Sequence, residues 1–160
     1  SMEQARVWYG RAAEQGYAQA QCNLATMHSS GEGGPMSMEQ ARVWHGRAAE
    51  QGDALGQHNL AVMHYEGHGG PVSLEHAMFW VKRAVAQGYN NAMHFAEEME
   101  STCFSCGKPR SASGENMKSC SGCKCAIYCS KGCQRAHWKK KNGGHKTMCK
   151  KIQALKLKVG

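Results

Sequence analysis

The sequence is poor in the features that define several classes of protein. It contains no run of about eighteen apolar residues and no charged leader followed by an apolar segment, so we expect neither a membrane span nor a signal peptide. It also contains no catalytic nucleophile and base motif, no phosphate-binding loop and no dinucleotide-binding fingerprint. With 160 residues, of which 41% are hydrophobic, the chain can form one ordinary domain or two small ones.

Two kinds of residue are scarce in one part of the chain only. Residues 101–160 contain one Asp or Glu against 14 Lys and Arg, whereas residues 1–100 contain 11 Asp and Glu against 6 Lys and Arg. Residues 1–100 contain a single cysteine, Cys22, while eight follow Ser101. These differences predict two modules that join near Ser101. Because residue 1 is Ser rather than Met, we expect a fragment of a longer protein. Because we expect neither a membrane span nor a signal peptide, we also expect it in the cytoplasm, the nucleus or both.

The first module is an internal repeat. Residues 1–36 align without a gap to residues 37–72, with 26 of 36 positions identical, and a partial third copy spans 73–101. Each copy has a serine that can cap a helix, a glutamate two residues on that favours the positive end of the helix dipole, and a later glycine suited to ending the helix. A second helix follows and ends at Gly-Gly-Pro in the first two copies. We predict a mostly α protein in which helix pairs stack as a short α-solenoid.

Aligned tryptophans, Trp8, Trp44 and Trp80, recur in the three copies, and we predict that all three are core residues. The pattern A-x-x-W-Y-x-R-A-A-E-Q-G-x-A-x-A-Q-x-N-L-A-x-M in the first copy is similar to the Sel1-like repeat, a relative of the tetratricopeptide class. The resemblance covers a predicted domain of residues 1–101. It implies a scaffold that binds other proteins.

The last sixty residues contain four pairs of potential metal ligands. Two have C-x2-C spacing and two are i, i+4 pairs, which place both ligands on one face of a helical turn: Cys103 and Cys106, Cys120 and Cys123, Cys129 and Cys133, His145 and Cys149. A structural zinc ion takes four Cys or His ligands in a closed tetrahedron. Four pairs therefore predict two structural zinc ions, with no open position for catalysis.

The spacing of the ligand pairs alone leaves several interpretations open. A disulfide scaffold would suit the cysteine density, but the missing leader, the missing Asn-x-Ser/Thr site and a histidine at ligand spacing oppose it. His137 lies four residues after Cys133 and competes with His145, which we favour because Cys149 would otherwise have no companion. Sequential, nested and interleaved pairing of the four pairs all remain open.

The order C-x2-C, C-x2-C, Y-C-S-x2-C-Q-x3-W and H-x3-C resembles the MYND zinc finger over residues 103–149, within a predicted domain of residues 102–149. MYND fingers are cross-braced. The resemblance thus implies one Zn²⁺ on Cys103, Cys106, Cys129 and Cys133 and a second on Cys120, Cys123, His145 and Cys149. Metal binding and folding would then be one event.

The same resemblance implies binding of a proline-rich peptide along the strand before the third ligand pair and the helix after it. Carried over, the peptide surface comprises Ala126, Ile127, Tyr128, Gln134 and Trp138. Trp138 is equally consistent with packing in the small core. We therefore expect a non-enzymatic, zinc-binding adaptor with protein partners and no small-molecule substrate.

Two other functions compete with this one. A ubiquitin-ligase component is possible because RING domains are also cross-braced, although the histidine expected in mid-motif is missing. A nucleic-acid binder would use the basic face after residue 138, but no aromatic residues alternate with its lysines and no base-reading helix is evident, so nucleic acid is not expected. Residues 150–160 are predicted as a basic C-terminal helix that docks on the last repeat and holds the finger against the solenoid. Its predicted apolar stripe comprises Ile152, Leu155, Leu157 and Val159, and the acidic side chains of the last repeat that would face its lysines are Glu97, Glu98 and Glu100.

Overall fold

The computed structural model describes residues 1–100, 104, 118–121, 126–128, 131–138 and 145–159. Three helix pairs occupy the first hundred residues, and each helix packs against the next in chain order. The predicted mostly helical fold is confirmed. The six helices are α1 (Met2–Glu14), α2 (Ala18–Ser30), α3 (Met38–Glu50), α4 (Ala54–Glu66), α5 (Leu74–Ala86) and α6 (Asn90–Glu100).

The predicted helix boundaries depend on local chemistry that the structure confirms. The side-chain oxygens of Ser1, Ser37 and Ser73 each accept a hydrogen bond from the backbone N–H three residues on. After each of these helices a glycine has a positive φ, at Gly16, Gly52 and Gly88.

An arginine in the first helix of a repeat holds the Gly-Gly-Pro loop that ends the repeat. Arg42 donates hydrogen bonds to the carbonyls of His68 and Pro71 and to Nδ1 of His64, and Arg6 does the same one repeat earlier. The loop passes so close that a Cβ on Gly69, whose φ is +68°, would overlap the carbonyl of Met38. The loop therefore folds back onto the start of its own repeat.

Buried glutamines join one repeat to the next, a link that sequence reasoning missed. Gln21 donates to the carbonyl of Ala13 at 3.0 Å and accepts from Gln51 of the following repeat at 2.7 Å. Gln57 and Gln87 form the same link one repeat later, at 2.8 Å. Each pair satisfies polar groups that would otherwise be buried without partners.

The aligned tryptophans differ in burial, which corrects the prediction that all three are core. Trp80 is 3% exposed, whereas Trp8 is 64% exposed and Trp44 is intermediate. Trp44 packs against a small cluster that includes Ala20 and Leu24 of the preceding helix. In the described part of the chain, no helix covers the corresponding face of α1, so Trp8 remains at the surface.

The described residues of the second module form a two-stranded antiparallel sheet and two helices. Strand β1 (Lys118–Ser119) pairs with β2 (Ile127–Tyr128), with Ser119 opposite Ile127. The N–H of Cys120 donates to the carbonyl of Ala126, and the N–H of Phe104 donates to that of Ile127, both at 2.8 Å. Helices α7 (Lys131–Trp138) and α8 (His145–Val159) follow.

The second module packs against the last repeat through one continuous core. Buried residues of α5, including Met78, Phe79 and Trp80, share a hydrophobic cluster with Tyr128 of β2 and with Ile152 of α8. Of the predicted apolar stripe, Ile152 lies in this core, and the part assigned to Leu155, Leu157 and Val159 stays a prediction. Helix α8 begins earlier than the tail predicted at 150–160, so it also includes two predicted zinc ligands.

Candidate metal centre

Three predicted ligands of one zinc site lie together. Cys120 follows β1, while His145 and Cys149 stand one turn apart at the start of α8, and all three are buried. Their ligand atoms lie within 4.8 Å of one another, and the two Sγ atoms are 4.0 Å apart. Cys123, the fourth predicted ligand of this site, lies outside the described residues.

This group fits a zinc ion. Two thiolates bound to tetrahedral zinc at about 2.3 Å stand roughly 3.8 Å apart, close to the distance between these sulfurs. Two sulfurs and an imidazole nitrogen are also the donor types that structural zinc sites use. None of the four described cysteines, Cys22, Cys120, Cys133 and Cys149, forms a disulfide.

The other predicted zinc site is described only at Cys133. This residue lies on α7, is half-buried, and packs against the shared core. Its predicted companions Cys103, Cys106 and Cys129 lie outside the described residues. The ligand assignment of this site therefore stays a prediction.

His137, the alternative ligand, is engaged elsewhere. Its Nδ1 is 3.0 Å from the hydroxyl of Tyr128, and its Nε2 is 3.5 Å from Oε1 of Glu75. The ring of His137 stacks on that of His145 at 5.8 Å between centroids. The geometry favours His145 as the companion of Cys120 and Cys149.

A carboxylate from the solenoid reaches this centre. Oε1 of Glu75, on α5, lies 3.4 Å from Nδ1 of His145. Burial alone would raise the pKa of Glu75, but hydrogen bonds from His145 and from its own backbone N–H, together with the two nearby imidazoles, outweigh it and lower the pKa. From the sequence, Glu75 was expected only to interact with the positive end of the helix dipole. It stands at the same repeat position as Glu3 and Glu39, so its contact with the finger was not predicted.

The predicted peptide surface divides into buried and accessible residues. Ala126, Ile127 and Tyr128 are buried in the shared core, and the carbonyl of Ile127 is already used by Phe104. These three side chains close the core between β2 and the last repeat. Their part in a peptide surface, which the sequence assigned to main-chain hydrogen bonds of the strand edge, stays a prediction. Gln134 and Trp138, by contrast, face a groove.

The groove lies between α7 and α8, beside the candidate metal centre. It has a volume of about 450 Å³, and Trp138 on its wall is 38% exposed. Its lining combines ligand cysteines with polar and basic side chains: Cys120, Ser121, Gln134, Arg135, Trp138, Lys146, Cys149, Lys150 and Gln153. An exposed aromatic ring among cations is a feature of a peptide-binding surface.

Comparison with known families agrees with this architecture of stacked helix pairs followed by a small Cys and His module. The model of the Sel1 repeat matches residues 1–17, 18–53 and 54–89, and the model of the MYND finger matches residues 103–149. The chain belongs to the Sel1 repeat family and carries a MYND zinc finger after its repeats. The second and third matches begin at the second helix of a pair, because a periodic array has no unique starting point.

Two solved structures are similar to the solenoid. A Sel1 repeat protein from Oxalobacter formigenes is 34% identical with a TM-score of 0.60, covering 62% of this chain and 39% of that one. A protective antigen present in uropathogenic Escherichia coli strains, which displays an SLR fold, is 33% identical with a TM-score of 0.61, covering 62% of this chain and 21% of that one. The chain thus spans well under half of either protein. A comparison with curated proteins found no match.

These families define the general chemistry of the chain. MYND fingers bind zinc, and both MYND fingers and Sel1 repeats are non-catalytic modules that commonly mediate protein–protein interactions. Across the residues that the structure describes, no helix is both long and apolar enough to cross a membrane.

Proposed function

We propose that this chain is a non-enzymatic adaptor whose zinc finger binds a proline-rich peptide and whose solenoid binds a second protein. Two structural zinc ions cross-link the finger and substitute for a large core. Their proposed ligands are Cys103, Cys106, Cys129 and Cys133 for one ion and Cys120, Cys123, His145 and Cys149 for the other. The groove beside Trp138 is the observation that supports this function most.

Proline suits this groove for physical reasons. A proline-rich segment is extended before it binds and therefore loses little conformational entropy on binding. The exposed face of Trp138 offers a flat apolar surface to the proline ring, and the side-chain amide of Gln134 can bond a peptide carbonyl. Because Ala126, Ile127 and Tyr128 are buried, the side chains of α7 and α8 form the binding surface.

The charge of the groove adds a requirement on the peptide. Arg135, Lys146 and Lys150 line it and are exposed, and none of the described lining residues is acidic. A peptide with Asp or Glu beside its prolines would gain electrostatic attraction, mainly in its association rate and at low salt. We therefore propose an acidic, proline-rich peptide as the ligand.

The solenoid offers a separate groove of about 530 Å³ across the first two repeats. Helices α2, α3 and α4 all contribute to it, among others through Thr26, Met38 and Asn59. Its mixed polar and apolar lining suits an extended protein segment. This surface lies on the first two repeats, whereas the finger packs on α5 of the third, so the two partners are proposed to bind together.

The proposal is tested by titrating the zinc-loaded chain with a peptide of consecutive prolines flanked by Glu and with its Gln-flanked analogue. We expect Trp138→Ala to weaken binding of the Glu peptide by roughly tenfold or more, because an exposed aromatic anchor is removed. Trp8→Ala is the matched control, since Trp8 is also an exposed tryptophan but lies on α1. The Gln peptide should bind a few-fold more weakly at low salt and equally at high salt.

Equal binding by the Trp138→Ala and parent chains would contradict the proposed groove. A random DNA duplex is included in the same titration as a competitor. If it displaced the peptide with a steep dependence on salt, nucleic-acid binding by the lysine face would replace the proposed function.

A further inference from the structure

Glu75 occupies a position whose equivalents behave differently in the other repeats. Glu3 and Glu39 stand at the same place in α1 and α3, and both are exposed to solvent. The side chain of Glu75 is only 8% exposed. Burial of a carboxylate costs free energy unless other groups form hydrogen bonds or ion pairs with it. The burial of Glu75 between the two modules therefore requires such partners.

The partners of the Glu75 carboxylate are the imidazoles of His137 and His145. Oε1 of Glu75 is 3.4 Å from Nδ1 of His145 and 3.5 Å from Nε2 of His137. His137 in turn contacts the hydroxyl of Tyr128 on β2. One side chain of the solenoid thus contacts α7 and α8 directly and reaches β2 only through His137. These elements surround the candidate metal centre.

We propose that Glu75 is a positioning residue for zinc: it accepts the Nδ1–H of His145 and thereby leaves Nε2 of His145 to face the ion. A carboxylate behind a ligating histidine selects the tautomer, fixes the ring orientation and makes the nitrogen a stronger ligand. In this chain the carboxylate comes from the last repeat rather than from the finger. This inference rests on the proposed zinc site.

A consequence is that the solenoid and the finger form one unit. The carboxylate link lies beside the core that joins Met78 and Trp80 to Tyr128 and Ile152. Zinc affinity at the site of Cys120, His145 and Cys149 therefore depends on a correctly folded last repeat. The orientation of α7 and α8, and hence of the peptide groove, depends on it as well.

The test compares zinc release from the full chain carrying Glu75→Gln with release from the matched control Glu39→Gln, using a competing chelator. Glutamine keeps the size and the carbonyl oxygen but removes the charge. We expect Glu75→Gln to weaken zinc binding by about 10-fold to 100-fold, with the control unchanged. After cobalt substitution, the visible absorption bands should also shift in Glu75→Gln alone.

Two results would overturn the role of Glu75, and a third would refute the proposed function. Equal zinc release by Glu75→Gln and Glu39→Gln would overturn it. Complete loss of one ion from Glu75→Gln at saturating zinc would make Glu75 a direct ligand, together with His137 and His145, and would overturn it too. Failure of the parent chain to bind zinc would instead refute the proposed function, so the two failures are distinguishable.

A second measurement needs no variant and so does not depend on folding of Glu75→Gln. Long-range ¹H–¹⁵N correlation spectra of the zinc-loaded parent chain report which ring nitrogen of His145 carries the proton. We expect a proton on Nδ1 and metal on Nε2. The opposite tautomer would overturn the role of Glu75.

Discussion

Trp8 and Trp80 occupy the same position in the first and third repeats, yet their side chains are 64% and 3% exposed. The difference arises from the neighbours. Trp80 contacts Phe79 at 4.8 Å between ring centroids and belongs to the core shared with the finger. Trp8 is covered on one face only by Arg11, whose guanidinium carbon lies 4.7 Å from the ring centroid.

Removal of the two tryptophan side chains should therefore have unequal effects. Trp80→Ala should lower the free energy of unfolding by about 3–5 kcal/mol, because it leaves a large cavity in the core. Trp8→Ala should lower it by about 1 kcal/mol or less, the scale of an exposed cation–π contact. Urea denaturation followed by circular dichroism measures both values, and similar losses for the two variants would contradict the assigned burial.

The contact between Arg42 and His64 makes stability depend on pH. Arg42 donates to Nδ1 of His64, and burial, with the charges of Arg42 and His76 nearby, lowers the pKa of His64 to about 3. The unfolded chain, with an ordinary histidine pKa of about 6.5, binds the proton first as pH falls. Stability should therefore decrease as pH falls from about 6.5 towards 3, by at most about 1.4 kcal/mol per pH unit for this group.

His64→Asn should reduce this dependence on pH, since Asn retains an acceptor for Arg42 but does not titrate. Melting temperatures at pH 7 and pH 4.5 measure the effect. His68→Asn is the matched control, because His68 is exposed and pairs with Glu66 at 3.1 Å. A parent-like slope in His64→Asn would show that other groups, such as the buried His45, dominate.

Zinc content tests the ligand assignment directly. Elemental analysis of the parent chain should find two zinc ions, and Cys129→Ser should lose both, because interleaved sites form only together. Cys22→Ala is the control and should keep two ions. Burial and the adjacent carboxylate of Asp53 raise the pKa of the Cys22 thiol well above its usual range, so this residue does not supply a thiolate ligand.

Chelation should leave most of the helical signal of the solenoid, because α1 to α4 pack on one another independently of the finger. Fluorescence of the chain should change nonetheless, since Trp80 lies in the shared core and Trp138 lies beside the metal centre. Loss of the whole helical signal on chelation would contradict a separate repeat array.

Much of the fold could be predicted from the sequence because its determinants are local. The capping serines act on backbone groups three residues away, and Gly16, Gly52 and Gly88 end helices through their own backbone conformation. The gapless repeat of residues 1–36 at 37–72, with 26 of 36 positions identical, then predicts the same helix pair twice. Contacts between repeats, such as Gln21 with Gln51, were missed because one glutamine in a repeat looks like any other exposed polar residue.

The candidate site shows the same limit. Spacing alone placed His145 and Cys149 on one helical turn, since residues four apart share a helix face. The grouping of Cys120 with them came from the family resemblance. Spacing could not reveal that Ala126, Ile127 and Tyr128 are buried, or that Glu75 contacts His145. Each of these facts depends on how the finger lies on α5.

The sequence by itself determined the periodic helix pairs, the ligand types and the division of charge between the two modules, because each is a property of short segments or of composition. The tertiary structure decided which residue is buried at each position that recurs in the three repeats. Trp80 is buried and Glu75 is bonded to imidazoles because the last repeat is covered by a second module. Trp8 and Glu3, at the equivalent positions of the first repeat, meet no such neighbour among the described residues.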